Sequence, residues 1–194
     1  MGDPKKSRKN YQRPPHPWQR ERLDEERILQ REYSLKNKKE LWKANSVLRD
    51  FKYQTKTLAS LQTQQAETEK INLIKKLQKY GLVPGNAHTD DILGLSIKNI
   101  LDRRLQTLVH KKGLARTVKQ ARQFIVHRHI MVDGENIDVP GFMVPIAVED
   151  KISFKQKSSL VDPEHPERVH APTVVSAGAE KTEEKKEKVS VKHG

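Results

Sequence analysis

Acidic residues are absent from a thirty-residue segment in the middle of this 194-residue chain, between Arg103 and Val132. The segment carries eight Arg or Lys side chains and three His, and its apolar residues recur at the three- and four-residue steps of amphipathic helices. Such a segment must fold with its apolar residues inward and its cations outward on a surface of one charge sign. A folded cationic surface attracts a polyphosphate backbone, because each Lys or Arg contact releases condensed counterions. The segment therefore predicts nucleic-acid binding.

Composition limits the size of the packed core. Hydrophobic residues make up 34% of the chain and charged residues 32%, which favours one or two modest packed units joined by exposed helices. The net charge is +13, and the basic excess lies within residues 1–155. Residues 156–194 are neutral, Pro-rich at first and then rich in Ala, Lys, Glu and Ser without periodicity. We expect this tail to be extended to disordered.

The absence of cysteine excludes a disulfide framework, Cys-ligated zinc and thiol catalysis. No apolar run approaches the roughly 20 residues that a membrane span needs, and the N-terminus lacks the apolar centre of a signal peptide. No histidine cluster has the spacing of metal ligands. We therefore expect a cytoplasmic protein with no membrane partner, no metal and no cofactor.

Residues 1–19 form a proline-rich basic segment in which Lys and Arg alternate with Tyr11 and Trp18. Prolines 14, 15 and 17 exclude a continuous helix. We interpret the segment as an extended arm whose rings stack on RNA and whose cations contact phosphates; the alternative is a solvated tail. The expected RNA contacts of the arm are Lys5, Lys6, Arg8, Lys9, Tyr11 and Arg13.

Residues 20–95 have the pattern of a helical domain of three short amphipathic helices. The first helix is expected over 20–33. Asn37 with Glu40 resembles a capping box, which predicts the start of a second helix. A third helix is predicted over about 66–80. The apolar residues expected to face inward are Leu41, Ala44, Val47, Leu48 and Phe51 in the second helix and Ile71, Ile74 and Leu77 in the third.

Residues 96–155 predict two further helices. Ser96 can cap a helix that Gly113 ends, and Thr117 with Gln120 forms a second capping box. The apolar stripe of the first of these helices is Ile97, Ile100, Leu101, Leu105, Leu108 and Val109. The second is expected to bury Val118, Ala121, Phe124 and Ile125, with Lys119, Arg122 and Gln123 facing outward.

A β-structure follows these helices. The apolar residues 130–132 precede Asp133-Gly134, a pair that suits a type I′ hairpin because both residues tolerate positive φ. Pro140-Gly141 marks another turn, and Ile152 with Phe154 indicates a closing strand. The predicted fold class is α+β: an N-terminal helical region and a small αα-then-β module, flanked by the basic arm and the tail.

Residues 101–137 resemble the small RNA-binding module named after small-subunit ribosomal protein four, also called the αL motif. The residues that carry the resemblance are Arg104-Leu105, Gly113, Thr117, Ala121-Arg122-Gln123-Phe124-Ile125 and Val132-Asp133-Gly134. One departure is Arg128, where relatives often have glycine. The same module occurs in pseudouridine synthases, tyrosyl-tRNA synthetases and heat-shock proteins, so it does not define function alone.

Segments outside the module resemble the archaeal members of the small-subunit ribosomal protein four family. They are MGDPKKSRKNYQRPPHPW at the start, YSLKNKKELWK at 33–43, DDILGLSIKNILDRRLQT at 90–107 and DPEHPERV at 162–169. The resemblance covers about residues 1–171. Some bacterial relatives have a cysteine zinc cluster near the N-terminus, which this chain cannot form.

The resemblance implies a non-enzymatic, structural component of the small ribosomal subunit. Its expected partners are 16S ribosomal RNA, bound at a multi-helix junction early in assembly, small-subunit ribosomal protein five and other small-subunit proteins, with a contribution to translational accuracy. No homo-oligomer is expected. The expected RNA-binding residues of the module are Arg103, Arg104, Gln106, Lys111, Lys112, Arg116, Thr117, Lys119, Gln120, Arg122, Gln123, His127, Arg128 and His129.

Two other functional classes use the same module: a freestanding RNA-binding stress or ribosome-rescue factor, and an RNA-modifying enzyme. The N-terminal 95 residues contain no Gly-rich phosphate loop, metal-ligand cluster or acid/base pair, which argues against an enzyme. The long helical region argues against a freestanding factor, because such factors are usually little more than the module.

Overall fold

The computed structural model describes residues 9–162 and 164–168, an α+β chain as the sequence predicts. Its helices are α1 (Arg20–Glu32), α2 (Lys38–Ser60), α3 (Gln64–Lys79), α4 (Thr89–Gly94), α5 (Ile97–Asp102), α6 (Leu105–Lys111), α7 (Val118–Val126) and α8 (Ile146–Glu149). Its strands are β1 (Ile130–Val132), β2 (Glu135–Asn136) and β3 (Ile152–Phe154), antiparallel in the order β2-β1-β3. None of the helices in the described part of the chain is long and apolar enough to cross a membrane.

Helices α1 to α5 pack around one hydrophobic core and form what we call the helical unit. Asn37 caps α2 as predicted, its side chain accepting a hydrogen bond from the Glu40 backbone N–H at 3.2 Å. Helix α3 begins at Gln64, and its buried face differs from the prediction. Leu77 is buried as predicted and Ile74 packs against the core, but Ile71 is 51% exposed, because α3 turns Leu73 into the core in its place.

A second core begins at α6 and defines the module, residues 103–168. The sequence pattern predicted one continuous helix from Ser96, but the structure breaks it between α5 and α6. Arg104 is extended, with ψ 142°, and pairs with Met143 in an isolated β-bridge. The Leu105 backbone N–H donates to the Phe142 carbonyl at 2.8 Å. The break divides the two cores, so α5, which we expected in the module, belongs to the helical unit.

The turns of the module follow the sequence. Gly113 ends α6 with φ +71°, and Thr117 caps α7 by accepting from the Gln120 N–H at 3.1 Å. Asp133 and Gly134 have φ +53° and +84° and join β1 to β2 directly, as a type I′ hairpin requires. Val118 is only half-buried, because it occupies the first turn of α7.

Arg128 occupies a left-handed position between α7 and β1, with φ +61°. Glycine adopts this conformation without strain, whereas other L-residues are disfavoured there. The position at which the resemblance led us to expect glycine is therefore a left-handed turn formed by an arginine.

The chain continues to pack on the module beyond residue 155. A 3₁₀ turn at Ser159–Val161 buries Leu160 in the module core, and the Arg168 guanidinium lies 4.8 Å from the centre of the Phe154 ring. The Arg116 side chain donates to the Pro166 carbonyl. The described residues up to 168 therefore pack on the module, where we had expected an extended to disordered tail. The remainder of that predicted tail, 169–194, lies outside the described residues.

The N-terminal arm packs on α2 where it is described. The Tyr11 ring lies 6.0 Å from the Trp42 ring, and the Gln12 backbone N–H donates to the Ser46 hydroxyl at 3.1 Å. The expected arm contacts Lys5, Lys6 and Arg8 lie outside the described residues.

Candidate RNA interface

A glutamate of the helical unit joins it to the module. Glu40, in the first turn of α2, accepts hydrogen bonds from Arg104 at 2.7 Å and from Arg122 at 2.7 and 3.2 Å. Arg122 also donates to the Gln106 side-chain oxygen at 3.3 Å. We call Glu40, Arg104 and Arg122 the Glu40 bridge. It takes the Glu40 side chain away from the capping box, in which that carboxylate would have bonded to the Asn37 N–H.

The bridge keeps Glu40 charged inside the protein. Burial by itself would raise the pKa of this carboxyl, but the hydrogen bonds from Arg122 and Arg104 and their positive charge outweigh it. The pKa of Glu40 therefore lies below its ordinary value. Its side chain is 18% exposed, and those of Arg104 and Arg122 are 9% and 22% exposed, so water screens the bridge only in part.

Two further contacts hold the two cores together. The Gln106 side-chain amide donates to the Tyr33 carbonyl at 2.5 Å. Ile146 lies so close to Gly81 that a Cβ there would be 2.9 Å from the isoleucine Cδ1. Within the module, a Cβ at Gly141 would lie 3.1 Å from an Arg104 Nη atom. The absence of a side chain at Gly141 therefore leaves space for the Arg104 guanidinium in the Glu40 bridge.

Beside the bridge lies a groove of about 570 Å³, which we call the cationic groove. Its lining residues are Arg27, Gln30, Arg31, Ser34, Leu35, Lys36, Lys119 and Arg122. They include five cations and no carboxylate among the described residues. Arg31, Lys36 and Lys119 are exposed and form no ion pair within residues 9–162 and 164–168, whereas Arg27 pairs with the exposed Asp24 at 3.0 Å. Unpaired exposed cations around a concave surface attract anions, so the groove is a candidate binding site.

Three of the predicted RNA contacts face the protein interior. Arg103 donates to Glu149 at 2.8 Å and to the Val144 carbonyl at 3.1 Å, and its side chain is 14% exposed. Arg104 and Gln106 are 7% and 1% exposed and belong to the contacts between the two cores. These three side chains therefore have internal partners in place of the surface positions that the sequence led us to expect.

The other predicted contacts within the described residues keep some exposure. Lys111 and Arg128 pair with Asp102 and Asp138, each at 3.2 Å. Lys112 lies 3.5 Å from Asp150. The positions that are exposed are Lys9, Arg13, Lys111, Arg116, Thr117, Lys119, Gln123, His127 and Arg128, and those that are half-buried are Tyr11, Lys112, Gln120, Arg122 and His129.

Two of the half-buried polar side chains are engaged within the module. Gln120 accepts from the Arg116 backbone N–H at 2.8 Å and donates to Glu167 at 2.9 Å. The His129 ring lies 2.8 Å from the Ser158 hydroxyl. Of the predicted contacts, Lys119 and Arg122 are the two that the structure brings together in the cationic groove.

The contacts predicted from the sequence do not include Arg27, Arg31 and Lys36, the helical-unit residues of the groove. Arg27 and Arg31 are four residues apart and share one face of α1, which was the available signal. A charged face of this kind is usually only solvated surface. What makes it a candidate site is its position opposite Lys119, which local spacing does not predict. No group of three or more His, Asp or Glu side chains in residues 9–162 and 164–168 could hold a metal ion.

Comparison with known proteins agrees with this arrangement. Residues 103–152 match the S4 domain. The chain is 48% identical over 169 residues to the small ribosomal subunit protein uS4 of Methanococcus aeolicus, covering 87% of this chain and 96% of that protein. It is 47% identical to the uS4 protein of Nanoarchaeum equitans over 84% of this chain and 92% of that protein. It is also 46% identical to the uS4 protein of Sulfurisphaera tokodaii, over 89% of this chain and 94% of that protein.

The second core, with its capped helix, hairpin and basic face, makes this an S4-domain protein. The match extends through the helical unit as well, so it is not confined to a module that other proteins share. The chain belongs to the uS4 family of small ribosomal subunit proteins. The archaeal resemblance is confirmed, and so are the expected structural, non-enzymatic class and the location in the cytoplasmic small subunit.

Proposed function

We propose that this protein is a primary binder of 16S ribosomal RNA, docking at a multi-helix junction and nucleating assembly of the body of the small subunit. A-form RNA hides its base edges in a deep major groove, so a rigid basic surface recognises it through phosphates and 2′-hydroxyls. The cationic groove is the observation that carries the proposal, because its cations come from both cores and face one concave surface.

The exposed cations of the module extend this surface. Arg116 and Lys119 lie beside or on α7, and Arg128 follows it. Trp18, which is 88% exposed, offers a ring for base stacking at the end of the arm. Contact with small-subunit ribosomal protein five and a role in translational accuracy are further parts of the proposal. Their support is the resemblance of residues 1–171 to the family.

The groove is tested by removing two of its unpaired cations. Arg31→Ala with Lys119→Ala should weaken binding to small-subunit ribosomal RNA and flatten its salt dependence. Each phosphate that the variant no longer binds reduces the slope of log affinity against log salt by about 0.7 to 0.9. The measurement is a filter-binding salt titration, with a circular-dichroism melt to show that the fold is intact.

The matched control is Lys75→Ala with Lys79→Ala, which removes the same charge from exposed positions on α3, away from the groove. Equal loss of affinity and slope in both pairs would mean that the RNA responds to net charge alone. An unchanged slope in the groove pair would place the RNA elsewhere on the protein.

A further inference from the structure

The cationic groove has walls from two separately packed cores. Arg27, Arg31 and Lys36 come from α1 and the turn after it, in the helical unit. Lys119 and Arg122 come from α7, in the module. The distance between the walls, and so the span of phosphates that the groove can contact, depends on how the two cores are held together.

The covalent connection between the cores is not a continuous helix that would fix that distance by itself. The backbone leaves helical geometry at Arg104, between α5 and α6, so no continuous helix passes from one core to the other. Within the described residues, the ion pairs that join the units are Glu40 with Arg104, Glu40 with Arg122, and Asp102 with Lys111. The last joins side chains that are 39% and 52% exposed, so it contributes little. The two pairs of Glu40 are less exposed, with side chains between 9% and 22% exposed.

One member of the Glu40 bridge also lines the groove. Arg122 binds Glu40 through its guanidinium while it contributes to the module wall, beside Lys119. Glu40 belongs to α2, which packs directly against α1 in the helical core. A single carboxylate therefore connects the helix pair that carries one wall to the arginine that carries the other.

We propose that Glu40 is a positioning residue for RNA binding: by bridging Arg104 and Arg122, it holds α1 and α7 at the spacing at which the cationic groove exists. The inference rests on the proposed function, since it concerns how the RNA-binding surface is assembled. Glu40 itself does not contact the RNA.

A positioning role for Glu40 and a simple charge argument predict opposite changes in RNA affinity when Glu40 is replaced. Replacing a glutamate by glutamine raises the net charge, and long-range attraction alone would then strengthen binding to a polyanion. Removal of a positioning residue should weaken binding instead, because cations on two separated walls no longer meet one phosphate segment.

The first experiment compares Glu40→Gln with Glu67→Gln in the full-length chain. Glu67 is exposed, on α3, and lines no part of the groove, so its variant makes the same change of net charge. Filter binding to small-subunit ribosomal RNA over a range of salt should show at least about tenfold weaker affinity for Glu40→Gln. Its salt slope should fall by about 0.7 to 0.9 for each phosphate that it no longer binds. Glu67→Gln should bind as the wild type does, or slightly more tightly.

The second experiment measures the arrangement of the cores without RNA. The chain has no cysteine, so Thr57→Cys on α2 and Asn136→Cys on β2 give two unique, exposed sites for nitroxide labels. Pulsed electron spin resonance should give a narrow distance distribution in the labelled wild type. In Glu40→Gln the distribution should broaden or shift, at a temperature where circular dichroism shows both proteins folded.

An unchanged distance distribution in Glu40→Gln would overturn the proposal, as would unchanged or tighter RNA binding with the wild-type slope. If Glu40→Gln does not fold, Glu40→Asp keeps the charge with one methylene fewer and should give a smaller shift of the same kind. Failure of both variants to fold would also overturn it, because Glu40 would then stabilise the fold itself. If the wild type shows no preference for small-subunit RNA, the proposed function fails, whereas the distance measurement still tests Glu40.

Discussion

The interior of the helical unit and its boundary with the module each contain a glutamate that is mostly shielded from solvent, and the two glutamates differ in the origin of their partners. Glu26 accepts hydrogen bonds from Arg22 and from the Trp42 indole at 3.2 Å, and it lies 3.1 Å from the Lys38 ammonium. All these partners belong to α1 and α2. Hydrogen bonds from them hold the pKa of Glu26 below its ordinary value, although burial acts in the opposite direction.

Glu40 has the same chemistry with distant partners. Arg104 and Arg122 are 64 and 82 residues away along the chain and belong to the other core. The comparison shows that one type of contact can serve two purposes. Within a unit it fixes how two neighbouring helices pack, whereas between units it fixes the shape of a surface to which both contribute.

The largest expected effect is on the free energy of unfolding, and together with RNA binding it distinguishes Glu26 from Glu40. Glu26→Ala leaves Arg22 and Lys38 without their carboxylate, and it should lower the free energy of unfolding by about 3 kcal/mol, as for other disrupted buried ion pairs. RNA affinity, measured where the variant is folded, should keep the wild-type salt slope. Urea titration and filter binding are the two measurements.

Glu40→Ala should reduce both stability and salt slope, so the pair of variants tests the comparison directly. A change of slope in Glu26→Ala as large as that in Glu40→Ala would show that the distinction between local and long-range partners has no functional consequence.

Lowering the pH should protonate Glu26 and Glu40 and remove their stabilising contribution. Because each has a pKa below its ordinary value in the folded protein, its stabilising contribution is fully present above the pKa of the unfolded chain. That contribution decreases as the pH falls below about 4.3 and is lost through the lower folded pKa. The double variant Glu26→Gln, Glu40→Gln should therefore lose less stability than the wild type between neutral and acidic pH.

Urea titrations at several pH values provide this measurement. In spin-labelled protein that remains folded, acidification should also broaden the distribution of distances between the two labels when Glu40 is present. If the wild type and the double variant lose equal stability, these two carboxylates are not the groups that acid affects.

Substitutions at two glycines should have smaller effects that again distinguish the Glu40 bridge from the helical unit. Gly141→Ala places a Cβ 3.1 Å from Arg104, and the crowding should cost about 1 kcal/mol and disturb the bridge. Gly85→Ala in the helical unit meets nothing within 4 Å, so its effect should be near zero. Thermal melts of the two variants give the comparison, and equal melting temperatures would contradict it.

The smallest effect is expected from the tail. Removal of residues 173–194 eliminates a segment of net charge +1 without a core pattern and involves neither Glu26 nor Glu40. RNA affinity should change by less than about tenfold, which corresponds to roughly 1.4 kcal/mol. A larger decrease of affinity in filter binding would assign an RNA contact to this segment.

Much of the module's structure is predictable because residues close together in the sequence determine it. Thr117 caps α7, and Asp133-Gly134 forms its hairpin, through residues only a few positions apart. The positive φ of Arg128 is local too, but a single arginine does not reveal it, because glycine is the residue that normally signals such a turn.

The boundary between the cores was not predictable, because distant residues determine it. The apolar stripe from Ile97 to Val109 satisfies the helical period throughout, yet backbone pairing with Phe142 and Met143 breaks the helix. The same pairing turns Arg104 inward, where the sequence shows only a basic residue in a basic segment. Glu40 was expected to complete a capping box, whereas its carboxylate reaches across to Arg104 and Arg122.

The division of the cores at the α5–α6 break has a consequence for the order of events during synthesis. The helical core ends at Leu101, so its buried residues have all been made before the module begins. Domains generally fold as units, N-terminal first, while translation continues. Glu40 must then remain without these partners until Arg104 and finally Arg122 have emerged. The buried residues of the nascent helical unit are therefore all present before its last charged contact can form, and that contact forms when α7 arrives.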